Sequence, residues 1–185
     1  GKTGINLPGH FLLDIPQSGT IEFYVAARWK GRLDYDPVLL SALTPVGPRY
    51  AIAITGDKQA IALAHADTWD LVEFDFSDGR MHHVAFVVMN GVTDVYIDGE
   101  HQDIIDAGFG DASTTSFHIG SLNGEIAPFI GAIAALKIWE TPLDPDDIEK
   151  YSTIDMLSEQ GYSHPDYDAL AAIGSFSGPN PTLIL

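Results

Sequence analysis

The chain has 185 residues, 45% apolar and 19% charged, which suffices for one domain with a substantial core. It carries no cysteine, so disulfide scaffolds and thiolate metal sites are excluded, and its formal net charge of −17 repels nucleic-acid backbones and anionic membranes. No run approaches the roughly 18 apolar residues that span a bilayer, and Gly1–Asn6 lacks the apolar stretch of a signal peptide.

In chain order, short apolar runs alternate with Gly, Pro, Asn and Asp. The runs predict strands over Phe11–Ile15, Thr20–Trp29, Val38–Leu43, Tyr50–Thr55, Ala60–Ala66, Leu71–Phe76, His82–Val88, Thr93–Ile97, Ser116–Ile119 and Ile130–Trp139. Gly56-Asp57, Asp78-Gly79, Asn90-Gly91, Asp98-Gly99 and Asn123-Gly124 are turn signals. This density of strands predicts an all-β, antiparallel two-sheet sandwich. Helical signals begin only after Leu143. Asp144 is an N-cap, Pro145 sits at N1, Asp147 at N3, and Leu143 and Ile148 can staple the first turn. Further short helices are expected over Thr153–Gln160 and from Pro165 to Gly174.

Alternation assigns Ile21, Phe23, Val25, Ile52, Ile54, Ile61, Leu63, Val84, Phe86, Val88, Val95, Ile97, Leu136 and Ile138 to the core. The opposite faces carry Ala26, Ala51, Ala53, Ala62, Ala64, Ala85 and Ala135, where a solvated sheet would carry Thr, Lys and Glu. Recurrent alanine predicts that one outer face is covered, by the C-terminal segment or by a partner chain.

Few residues suggest chemistry. Glu73 and Asp75 share one strand face about 7 Å apart, but Ser77 stands where a third acid would be needed, so no glycosidase site is expected there. His82 and His83 are strand neighbours and point to opposite faces, which rules out a shared metal and favours structural roles. Aromatic residues flanked by polar groups are the candidates for sugar contact: Trp69 beside Asp70, Tyr35 between Asp34 and Asp36, and the Arg49-Tyr50 pair.

Two segments carry a resemblance. The first is Asp78-Gly79-Arg80-Met81-His82-His83-Val84-Ala85-Phe86 followed by Val95-Tyr96-Ile97-Asp98-Gly99. The second runs through Phe117-His118-Ile119-Gly120, Phe129-Ile130-Gly131, Leu136-Lys137-Ile138-Trp139 and Pro142-Leu143-Asp144-Pro145-Asp146-Asp147-Ile148. Together they resemble the laminin-G-like and pentraxin-like branch of the concanavalin A-like jelly rolls. The resemblance implies a jelly-roll domain over residues 1–151; residues 152–185 depart from it, and their apolar residues predict a short helical extension packed on the domain or on a partner. It implies a non-catalytic recognition module for glycans or proteins. The alternative is a structural or adhesion component of a larger assembly, such as a phage tail or fibre, with self-association. An extracellular, cell-surface or virus-particle setting is the one it favours. Pentraxin-like relatives hold calcium with carboxylates of an early loop and of the loop after the Ile-x-Gly strand. Here the early loop offers only Pro48-Arg49, and the later one offers Asn123 and Glu125. Calcium, if bound, is therefore expected near Asn123 and Glu125, completed by Asp34 and Asp36, and weak.

Overall fold

The computed structural model describes residues 4–9, 18–65, 68–110, 113–153 and 183–184. Two six-stranded antiparallel sheets face each other. The first contains β1 (Ile5–Pro8), β10 (Ser116–Ile119), β3 (Val38–Thr44), β4 (Gly47–Ile54), β5 (Ala60–His65) and β6 (Thr68–Glu73), in that spatial order. The second contains β12 (Leu183–Ile184), β11 (Gly131–Trp139), β2 (Ser18–Ala27), β7 (His82–Met89), β8 (Val92–Ile97) and β9 (Glu100–Ile105). One helix, α1 (Pro145–Thr153), follows β11.

Every residue that alternation assigned to the core lies in a single buried cluster between the sheets, joined by Tyr50, Phe76, Phe109 and Phe117. Two of the turn signals close hairpins. Asn90 and Gly91 (φ 55° and 80°) close β7 onto β8, and Asp98 and Gly99 (φ 53° and 84°) close β8 onto β9. Asn, Asp and Gly tolerate the left-handed conformations that these tight turns need. Gly99 has a second constraint, since a Cβ there would lie 2.5 Å from Ser152 Oγ on α1.

Besides the two-residue β12, two described strands are absent from the sequence reading. β1 is short and exposed, and β9 is an edge strand with a polar run, Glu100 to Asp103, and one buried residue, Ile105. Neither has an apolar rhythm to betray it. The run Leu71–Phe76 is shifted. β6 starts at Thr68 and ends at Glu73, and the Phe74 and Phe76 N–H groups bond instead to the carbonyls of Gln59 and Lys58. The readings on Phe11–Ile15 and on the helices beyond α1 lie outside the described residues.

Both outer faces are covered, not one, and by different elements. On the second sheet Ile148 and Leu143 of the α1 segment pack on Ala85, Val87 and Tyr96. On the first sheet Leu122 and Ala127, from the loop after β10, pack on Val38, Ala51, Ala53 and Ala64. The alanines let these layers approach closely. α1 begins as its sequence predicts, with the Asp147 N–H donating to Asp144 Oδ1 at 2.9 Å. At the edge of the second sheet, Leu183–Ile184 pairs antiparallel with Lys137–Ile138.

Candidate functional site

The outer face of the first sheet can be built row by row from its register. One row runs Asn6, His118, Ser41, Ala51, Ala64, Trp69, each directly opposite the next. A second row runs Val38, Ala53, Ala62, Leu71. Alternation places Glu73 on the same face of β6 as Trp69 and Leu71. Trp69 and Leu71 are 52% and 55% exposed, whereas the alanines beside them are buried. A bulky, solvent-facing strand therefore stands beside a floor of small side chains. On the far side the floor meets Leu122 and Ala127, with Ile126 exposed between them and solvent. An exposed indole beside a low floor is a surface on which a flat apolar ring face can stack.

That loop is held by its own polar groups. Ser41 Oγ donates to the Leu122 carbonyl at 2.6 Å, and Asn123 Oδ1 accepts the N–H groups of Glu125 and Ile126 at 3.2 and 3.0 Å. His118 lies beneath it, bonded through Nε2 to Ser116 Oγ. Burial holds this imidazole below the ordinary histidine value, which keeps it neutral.

The candidate ligand residues separate. Trp69 is on the face and exposed, and Asp70 follows it on the half-buried side of β6. Tyr35 bonds through its hydroxyl to the Pro128 carbonyl at 3.2 Å, tying two loops together. Arg49 and Tyr50 do not form a platform. Arg49 is buried, with Nε donating to Gly110 O at 3.0 Å and Nη1 to Thr114 Oγ1 at 3.2 Å. Tyr50 is a core residue with its ring 4.6 Å from that of Phe109, because alternation from Ile52 and Ile54 carries it inward.

The residues expected to hold calcium do not suit it. Asp36 Oδ1 accepts the Gly56 N–H at 2.8 Å, and Asn123 Oδ1 serves its own turn. Asp34, Asp36 and Glu125 do not converge, and among the described residues no three His, Asp or Glu side chains form a group that would hold a metal. Calcium needs 6–8 oxygen ligands, which these side chains do not bring together.

Two polar clusters lie away from this face. His82 is clamped at the rim, with Nδ1 2.7 Å from Asp98 Oδ2 and Nε2 3.0 Å from Asp78 Oδ1, its ring set against Phe74 and Phe76. The hydrogen bond to Asp98, against burial and helped by Asp78, raises the His82 pKa. Burial raises the Asp98 carboxyl, but hydrogen bonds from His82 and the His83 N–H outweigh it and lower the pKa. Asp75 caps the Ser77 N–H at 2.8 Å, and this bonding to Ser77 lowers its pKa.

The second cluster was not anticipated. Glu22 is buried on the outer side of β2. Its Oε2 lies 2.9 Å from His83 Nε2, and its Oε1 accepts from Lys137 Nζ at 2.9 Å and Trp139 Nε1 at 3.1 Å. Desolvation opposes the charge, yet the bonds from His83 and Lys137 keep the Glu22 pKa below the ordinary value. Tyr151 of α1 stacks on Trp139 and lies 4.7 Å from Lys137 Nζ, sealing the group. His82 and His83 thus face opposite ways, as alternation requires. The signal for Glu22 was a lone acid in an apolar strand, and a lone cation, Lys137, in another.

The family model described as the concanavalin A-like lectin/glucanases superfamily matches residues 1–149. No curated protein matches the chain in sequence. Among solved structures, domain 4 of AbnA, a GH43 extracellular arabinanase from Geobacillus stearothermophilus in complex with arabinotriose, superposes with a TM-score of 0.61 at 22% identity, covering 81% of this chain and 72% of that one. The Ruminococcus gnavus IT-sialidase CBM40 bound to α2,3-sialyllactose gives 0.61 at 14% identity, over 82% of this chain and 97% of that one. The heptameric SAP-like pentraxin from Limulus polyphemus gives 0.58 at 15% identity, over 80% and 72%. Identities this low establish a shared fold.

Proposed function

Because the chain belongs to the concanavalin A-like lectin/glucanase superfamily, we propose that it is a non-catalytic recognition module that holds glycans against the outer face of its first sheet. The carrying observation is the Trp69 indole, 52% exposed on an edge strand beside buried alanines. Water leaves an indole face readily when the C–H face of a sugar ring covers it. The carboxylate of Glu73, on the same face of the same strand, can accept sugar hydroxyls at the rim. Two of the structural neighbours are complexes with a neutral glycan, arabinotriose, and with an acidic one, sialyllactose, which supports glycans as the ligand class and leaves the ligand's charge to this chain's own residues. An extracellular or cell-surface setting accompanies this reading.

The test is a glycan array followed by calorimetry. Trp69→Ala is expected to abolish binding while leaving the melting temperature within about 2 °C, since exposed substitutions stay near ±0.5 kcal/mol. Full binding by Trp69→Ala would place the site elsewhere. No hydrolysis of the bound glycan is expected, and turnover that vanishes in Glu73→Gln would overturn the non-catalytic reading.

A second reading, a structural or adhesion part of a larger assembly, draws on one observation. The segment Leu183–Ile184 adds an edge strand to the second sheet, and the same edge would accept that segment from a neighbouring copy.

A further inference from the structure

Resting on the glycan reading above, we propose that the ligand is an uncharged glycan and that the site rejects sugars carrying carboxylate or sulfate. The basis is where the cations are. Across the six strands of the first sheet the sequence supplies one Lys or Arg, Arg49. Arg49 is 5% exposed, and its guanidinium is committed to Gly110 O and Thr114 Oγ1. Lys58, just before β5, is buried as well. Its Nζ donates to the Trp29 carbonyl and stands over the Trp29 ring, 5.2 Å from its centre. Arg28, Lys30 and Arg32 belong to the loop after β2, at the end of the sandwich, where the Arg28 N–H meets Ile130 O and Arg32 faces Asp57 at 3.8 Å. The histidine on the face, His118, is buried and kept neutral.

What the face does offer is negative. Glu73 shares the outer side of β6 with Trp69, and Glu125 is exposed on the bordering loop. The whole chain adds a net charge of −17. An acidic sugar brought against Trp69 would lose hydration without gaining a cationic partner, and it would meet like charge. A neutral sugar pays neither cost. Its hydroxyls are donors, and carboxylates are the strong acceptors for them. The composition that repels an anionic glycan therefore suits a neutral one.

The test is affinity electrophoresis of the full chain at low salt. One set of native gels contains arabinan, galactan or β-glucan, and the other contains polygalacturonate, hyaluronate or dextran sulfate. Retardation is expected in at least one neutral gel and in no acidic gel, with Trp69→Ala abolishing it. Leu71→Lys places one cation beside the indole and is expected to bring on, in polygalacturonate, a retardation that the parent chain does not show. Trp69-dependent retardation in an acidic gel as strong as in any neutral one overturns the charge inference and leaves the glycan site standing. Unchanged behaviour of Leu71→Lys in polygalacturonate also overturns it. No retardation in any gel, with the protein folded by circular dichroism, overturns the glycan reading and this inference with it.

Discussion

At the scale of single residues, Glu22 is the most consequential side chain outside the core. It accepts from Lys137 and Trp139 and faces His83, all buried. Removing it leaves the Lys137 charge without its partner in a dry site. We predict that Glu22→Ala costs about 3–5 kcal/mol in urea unfolding. Glu22→Met with Lys137→Met is expected to recover most of that loss, because the charge and its counter-charge leave together. Phe86, fully buried between the sheets, gives the ordinary core figure of about 3–5 kcal/mol on Phe86→Ala. The His82 clamp sets a pH window. The raised His82 pKa contributes stability that is complete below its ordinary value of 6.5 and is lost as pH rises through the folded value. The lowered Asp78 and Asp98 pKa values contribute stability that is complete above their ordinary 3.8 and is lost as pH falls through the folded values. The clamp is therefore strongest between these limits. Thermal melts of Asp98→Asn should show a shallower fall above pH 6.5 than the parent chain. Parallel curves would remove the clamp from the account.

At the scale of elements, β11 holds a decision that periodicity cannot make. Its pairing with β2 shifts between Ala134 and Lys137, and Ala135 sits at φ 48°. This bulge advances the alternation by one residue. Ile133 packs against the core from one phase, and Leu136 and Ile138 enter it from the other, while Lys137 and Trp139 turn outward to Glu22. A β-branched residue is poorly suited to left-handed backbone, so Ala135→Val is predicted to cost about 1–3 kcal/mol. A stability change below about 0.5 kcal/mol in calorimetry would show that the bulge is not needed. α1, by contrast, was legible from its first residue. Asp144, Pro145 and Asp147 specify a start whatever lies around them, because capping is satisfied within one turn. The sequence placed the covering layer but not its number, since alanine signals close approach without naming what approaches.

At the scale of the whole molecule, the sandwich closes around one core, and its outer faces are partly covered by α1 and by the loop after β10, while Trp69 and Leu71 of β6 stay exposed. The apolar C-terminal segment remains a proposal. Tyr162, Tyr167, Leu170, Ile173 and Phe176 carry too much apolar surface for a solvated tail. The pairing of Leu183–Ile184 with β11 fits a segment that returns to the domain. We predict that deleting residues 175–185 lowers the melting temperature or changes the mass measured by light scattering. If both stay the same, the tail has no structural part.

The sequence by itself determined the two sheets, the turns at Asn90-Gly91 and Asp98-Gly99, the start of α1 and the inward set of side chains. These depend on period and on local backbone preference, which each short segment carries alone. The tertiary structure decided the rest. It decided that Tyr50 is core and Arg49 a buried clamp, that Asp36 and Asn123 spend their oxygens on loop backbone, and that Trp69 stands free beside a floor of alanines. It also brought Glu22 together with His83 and Lys137 across more than 100 residues of chain. Such groupings depend on register between strands distant in sequence, and no local rule encodes register across a sandwich.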